Sequence, residues 1–251
     1  MRYARALAGA IGLLSAAMAT AGIFDDPKNL EVLPADIEPE ALRQVMRSFS
    51  LELDVGCESC HVGEANQPIE SFDFAADDKS MKEAARLMMR MVADINEREL
   101  AKLPDTDHAR VTVRCATCHR GQARPLLIGD ELAAAHDNGG VPAAVTRYRA
   151  LKSEHFGSDS YDFTEMPRLL FADRLVAKQD RAGGIAFLRE LHDEHGASFL
   201  TDVKLGDIYI LVDDRQNAIA SYEAALAQAP PARTEGIRKR LASLKENAGA
   251  P

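Results

Sequence analysis

Between Pro39 and about Asp54, apolar side chains recur at Leu42, Val45, Met46, Phe49 and Leu53, a spacing that places them on one face of a helix. Pro39 suits the first turn of that helix. A longer stripe, Met81, Ala84, Ala85, Met88, Met91, Val92 and Ile95, predicts a second helix from about Asp78 to Glu99. Helical spacing returns from Pro142 to about His155, continues over residues 163–247, and closes with a helix from Thr234 to Lys245. Alternating runs of β-branched residues are nearly absent, so the chain is predicted to be all-α with little regular sheet. Pro104 and Asp105 mark a loop, His136–Gly140 a turn or linker, and Gly157–Ser160 a second break.

Composition narrows the function. The 251 residues are 46% hydrophobic and 27% charged, which excludes wholesale disorder and low-complexity architectures. Thirty basic residues face 39 acidic ones, a formal charge of −9 with no long basic run, so nucleic acid is not an expected partner. At the N terminus, Arg2 and Arg5 precede an apolar stretch from Ala6 to Met18, and Ala19-Thr20-Ala21 fits an export cleavage site. The expectation is a periplasmic protein, cleaved after Ala21.

All four cysteines fall in two copies of one pattern, Cys57-Glu58-Ser59-Cys60-His61 and Cys115-Ala116-Thr117-Cys118-His119. C-x-x-C-H is the attachment signature of c-type haem. Two thiols at this spacing reach the two vinyl groups of one porphyrin, and the following His is held beneath the iron as proximal ligand. A zinc site shared by the two pairs fits poorly, because 54 residues separate Cys60 from Cys115. A thioredoxin-like pair would sit near a βαβ unit, and none is predicted. Two structural disulfides would leave the repeated His a coincidence. The pattern predicts two covalently bound haem c groups on Cys57, Cys60, Cys115 and Cys118, with His61 and His119 as proximal iron ligands.

A haem used for electron transfer takes a second strong axial ligand, commonly Met, which raises its potential. Met46 lies at the centre of the first apolar stripe and Met88 at the centre of the second, with Met89 and Met91 toward its edges. Helical spacing alone leaves core packing open for each of them.

The order of Met-bearing helix, C-x-x-C-H and helix again resembles the cytochrome subunit of purple-bacterial photosynthetic reaction centres. The similar segments are Leu42–Phe49 leading to Cys57–Gly63, and Ala85–Met91 with Ile95-Asn96 leading to Cys115–Gly121, within residues 29–126. The resemblance implies Met46 as distal ligand of the first haem and Met88 of the second, the two haems forming a short electron wire. That family carries two haem pairs and this chain one, and the stretch Arg98–Val113 is longer here. A His near the place of His108 ligates a haem of the other pair in that family; His108 is read here as a loop residue.

In the C-terminal half, Leu205–Tyr209, Ala218, Tyr222, Ala225 and Pro230 match the spacing of a tetratricopeptide repeat, with a weaker copy 34 residues earlier at Ala172, Leu175, Gly184, Leu188, Leu191 and Gly196. Such α-solenoid arrays usually bind proteins. The expected organisation is a signal peptide (1–21), a dihaem cytochrome c domain (22–128), a linker and packing helix (129–162) and tetratricopeptide-like repeats (163–247). His136, His155, His192 and His195 are read as surface residues. The chain therefore reads as an electron carrier between redox partner proteins rather than a catalyst, with docking on the repeats and association with a membrane complex through a partner. A dihaem peroxidase, or a repeat scaffold with sensory haems, is the contrasting reading.

Overall fold

The computed structural model describes residues 22–104, 110–196 and 198–246. Among these the chain is all-α, with nine α-helices and no strand beyond one isolated antiparallel bridge, Val62 to Asp73. The expected signal peptide and His108 lie outside the described residues. None of the described helices is long and apolar enough to cross a membrane. The chain divides into two compact units, one through Cys115 and one from Ala116.

In the first unit, α1 spans Pro39–Leu53, with Pro at its start and Asp54 closing it in the left-handed conformation at φ 53°. Leu42 is its one fully buried residue. Helix α2 spans Ser80–Asp94 and runs into a π-helical turn, Ile95–Glu99, then a 3-10 turn, Leu100–Lys102. The side that α2 packs inward differs from the apolar stripe. Its buried residues are Lys82 and Arg86, whereas Met81, Met88 and Met91 are exposed. The reason is polar. Lys82 Nζ donates to the carbonyls of Phe74, Ala75 and Ala76 at 3.0, 3.1 and 2.8 Å, and these groups satisfy its charge together with Asp77 at 2.9 Å. Asp73 curls that carbonyl row into place by accepting from the amides of Ala75 and Ala76, both at 3.0 Å.

The second unit holds α3 (Cys115–His119, whose first residue belongs to the first unit), α4 (Ile128–His155), α5 (Glu165–Ala177), α6 (Arg181–His195), α7 (Phe199–Leu211), α8 (Arg215–Gln228) and α9 (Pro231–Glu246). Helix α4 bends at Gly139–Gly140; the turn or linker expected over His136–Gly140 narrows to this pair, since His136–Asn138 are helical, and the part before the bend is a helix the sequence pattern did not announce. Gly140 sits at φ 66°, ψ −161°, a backbone region essentially restricted to glycine. The core is built on Leu132, Tyr148, Phe171, Phe187, Leu191 and Ile208, with Phe171 and Phe187 edge-on at 4.7 Å. A second cluster, Tyr222, Ala225, Ile237 and Leu241, joins α8 to α9.

The four histidines read as surface residues are partly buried and engaged. His136 Nε2 lies 3.1 Å from Asp180, His192 Nε2 3.2 Å from Asp202, His195 Nε2 3.0 Å from the Tyr148 hydroxyl, and the His155 ring meets Tyr161 at 5.2 Å. Periodicity does not register such partners, because each comes from another helix or loop.

Candidate functional site

The first motif begins as a 3-10 turn over Cys57–Ser59, and the amides of Cys60 and His61 both reach back to the Cys57 carbonyl, at 3.2 and 2.9 Å. That tight turn puts both thiols and the imidazole on one side of the chain. They line a single apolar cavity, together with Met46 and Phe49 of α1, Val55, Ile69, Phe74, and Ala85 and Met89 of α2. Four of the residues singled out in the sequence, Met46, Cys57, Cys60 and His61, thus converge inside one unit. Met89, read as an edge residue of its helix, lines the cavity as well, a placement set by the inward turn of Lys82 and Arg86.

The surroundings of His61 are aromatic. Its ring meets Phe74 edge-on at 5.0 Å, and Phe74 stacks on Phe72 at 5.8 Å. A side chain at Gly63 would place its Cβ 2.5 Å from the Phe72 ring, so glycine is required for this stack to close. Burial, and then the Lys82 charge, hold the His61 imidazole below its ordinary pKa of 6.5, favouring the neutral form that ligates metals. Burial pushes the Cys60 thiol up, with the Lys79 charge opposing.

The cavity is closed on one side by residues 23, 24 and 27–33. Arg86, 6% exposed, anchors that segment: it donates to the Asn29 carbonyl at 3.1 Å and pairs with Glu31 at 3.1 Å and Asp77 at 3.0 Å, and also with Glu83. Glu31, Asp77 and Glu83 come close enough together to hold a cation, and the Arg86 guanidinium accounts for their convergence.

The second motif forms helix α3, in which Cys115 and Cys118 are three apart and share a face. Arg120 and Gly121 end it in left-handed conformations, at φ 50° and 76°. That reversal brings the Gln122 carbonyl to 2.8 Å from His119 Nδ1. With the proton on Nδ1, Nε2 keeps its lone pair for a metal, the usual arrangement of a ligating histidine. The turn is clamped by Ser160, whose hydroxyl donates to the Arg120 carbonyl at 3.0 Å and whose own carbonyl accepts from Gln122 Nε2 at 3.0 Å. The break at Gly157–Ser160 therefore supports the second motif.

Asn96, at the π-helical turn that follows α2, exchanges both of its side-chain hydrogen bonds with the backbone of Val113, each at 2.8 Å, fastening the chain two residues before Cys115. Helical periodicity gives no signal for this role of Asn96, because its partner lies outside the helix, at Val113. Met88 belongs to the first unit and is 38% exposed, on the same side of α2 as the exposed Met81 and Met91.

The chemistry of the donor set fits haem c: paired thiols, a neutral imidazole and a thioether around one apolar cavity, with a second thiol pair and imidazole on helix α3. Comparison with known proteins agrees. The profile of the photosynthetic reaction centre cytochrome c subunit matches residues 16–179. Cytochrome c-554 of Chloroflexus aurantiacus is 30% identical over 103 residues, 41% of this chain and 22% of that protein, so the similarity spans under a quarter of the relative's length. The profile runs past the C-x-x-C-H motifs through α4 and α5, further than the resemblance read from residues 29–126. The family match implies haem c, and the two thiol pairs, Cys57/Cys60 and Cys115/Cys118, fit two such groups. On the family match over most of its length, the chain belongs to the photosynthetic reaction centre cytochrome c subunit family.

Proposed function

We propose that the protein is an exported, periplasmic dihaem cytochrome that passes single electrons between redox partner proteins, each haem six-coordinate with His and Met. The observation that carries this reading is the shared cavity of Met46, Cys57, Cys60 and His61. The first haem is attached at Cys57 and Cys60, with His61 and Met46 as axial ligands. The second is attached at Cys115 and Cys118, with His119 and Met88. Support for Met88 is its exposed thioether on a face of α2 whose other large apolar residues, Met81 and Met91, are also exposed. When bound, each iron supplies a reversible one-electron couple. The chain's own work is to hold two ligands on each iron, keep water out and fix the porphyrins.

The C-terminal helices are read as two tetratricopeptide-like hairpins and a capping helix, a surface for the partner. In support, α7 and α8 begin 34 residues after α5 and α6 respectively. Asp180 and Asp214 cap α6 and α8 alike, accepting from the amides of Gly183 at 2.8 Å and Asn217 at 3.1 Å. The acidic chain, at −9, suits docking to a basic partner surface, with rates that fall as salt rises. Association with a membrane complex runs through that partner.

The test is a redox titration of protein purified from its native envelope, followed in the haem absorption bands. Two one-electron waves, low-spin spectra in both oxidation states and no fast reaction with hydrogen peroxide are expected. A high-spin ferric haem that turns over peroxide would contradict the reading in favour of an enzyme.

A further inference from the structure

We propose that Arg86 and Asn29 are positioning residues for the first haem, holding residues 22–33 as a strap that keeps small ligands and water from its iron; this rests on the assignment of that haem to Cys57, Cys60, His61 and Met46. The strap carries no α-helix or strand of its own, yet it supplies nine of the residues around the cavity. Its apolar members, Ile23, Phe24, Leu30, Val32 and Leu33, are only partly buried, so apolar contact alone leaves it weakly held.

Polar bonds supply the hold, and they converge on one place. Asn29 adopts the left-handed conformation at φ 61°, which turns the strap so that its side chain and its carbonyl both meet the start of α2 and the loop before it. Its Nδ2 donates to the Ala75 carbonyl at 2.7 Å and to Asp77 at 2.9 Å, and its carbonyl accepts from Arg86 at 3.1 Å. Two residues on, Glu31 pairs with the same guanidinium at 3.1 Å. Arg86 is enclosed, and its donors go to the strap, the loop and Glu83 of its own helix, so it acts as the post to which the strap is tied. At the other end, the Arg43 guanidinium of α1 lies 4.9 Å from the Phe24 ring centre. Lys82 draws the 74–76 carbonyls inward, so strap, loop and α2 form one bonded assembly on the cavity wall.

The test compares the full holoprotein with Asn29→Gly, which keeps the turn and deletes the side-chain donors, and Arg86→Gln. Hydrogen–deuterium exchange at residues 22–33 is expected to quicken about tenfold or more in each variant, and the first haem to bind imidazole about tenfold more tightly, with the second haem unchanged. The first haem's signal is assigned with Met46→Ala, whose open iron marks it. Should Arg86→Gln fail to accumulate, Asn29→Gly alone decides. Wild-type exchange in the strap overturns the proposal, and so does faster exchange with no change in imidazole binding, since the strap would then guard nothing. Imidazole binding by the unaltered protein reads the parent assignment separately: a first haem already open before any substitution contradicts the His61–Met46 ligation itself.

Discussion

Met88 and Met89 are consecutive on α2 and serve different sides of it: Met89 lines the cavity that holds His61, while Met88 is 38% exposed beside neither Lys82 nor Arg86. Successive residues on a helix are about 100° apart, so one helix can offer sulfur in two directions. The inward turn of Lys82 and Arg86 sets which methionine points where. Met46→Ala and Met88→Ala should each leave both haems covalently attached, lower one potential by on the order of 100 mV, and open that iron to cyanide. Met89→Leu should change neither ligation. Redox titration with the ferric sulfur charge-transfer band checks all three; loss of that band in Met89→Leu would reassign the first haem.

Gly63→Ala drives a methyl group into the Phe72 ring, 2.5 Å from the ideal Cβ position. The ring cannot retreat freely, because Phe72 stacks on Phe74 and Phe74 meets His61. The substitution should cost about 1–3 kcal/mol in denaturant unfolding of the first unit and shift the first haem's potential alone.

Asp77 carries an acid sensitivity. Hydrogen bonds from Asn29 and then Lys82 hold its carboxyl down from 3.8 to about 2. A carboxylate whose pKa is lower folded than unfolded stabilises the fold above its unfolded value, and that contribution is lost as pH falls toward its folded value. Between about pH 4 and pH 2, Asp77→Asn should therefore show a shallower loss of stability than wild type, measured by denaturant midpoints at stepped pH. His195, held to about 4 by burial and by the Arg168 and Lys152 charges, works in a different window. Its neutral form belongs to the folded state, so stability is full above 6.5 and declines as pH falls toward 4.

Gly206 lies against Tyr222. A Cβ there would come within 2.9 Å of a ring that is fully buried, so Gly206→Ala should destabilise the second unit by about 1–3 kcal/mol despite alanine's better helix propensity. Gly236, on α9, has nothing within 4 Å of the same position. Gly236→Ala should be neutral or stabilising by up to about 1 kcal/mol. Thermal unfolding of the two variants side by side checks the pair.

Much of the fold was legible because it is written locally. Pro39 and the Leu42–Leu53 stripe predict α1 nearly to the residue, while the turn or linker expected over His136–Gly140 is only a bend at Gly139–Gly140 within α4. The two C-x-x-C-H motifs were legible as one repeated spacing, and the fold brings Cys57, Cys60 and His61 of the first to a single cavity. The stripe left the inward side of α2 open. An apolar stripe normally marks the packed face, whereas here Lys82 and Arg86 are buried because carbonyls and carboxylates from residues 29–31 and 74–77 come to meet them. Those partners, like Ser160 for Arg120 and Val113 for Asn96, are brought together by the folded chain, and helical periodicity has no register for them.

The proposed function requires two covalent haems, one on each thiol pair. Intact-mass measurement of the protein from its native envelope, with Cys57→Ala/Cys60→Ala and Cys115→Ala/Cys118→Ala alongside, tests it most directly. The expected mass is that of the processed polypeptide plus two haems, and plus one in each double variant. A native mass equal to the bare polypeptide, or a double variant that keeps both haems, would contradict it.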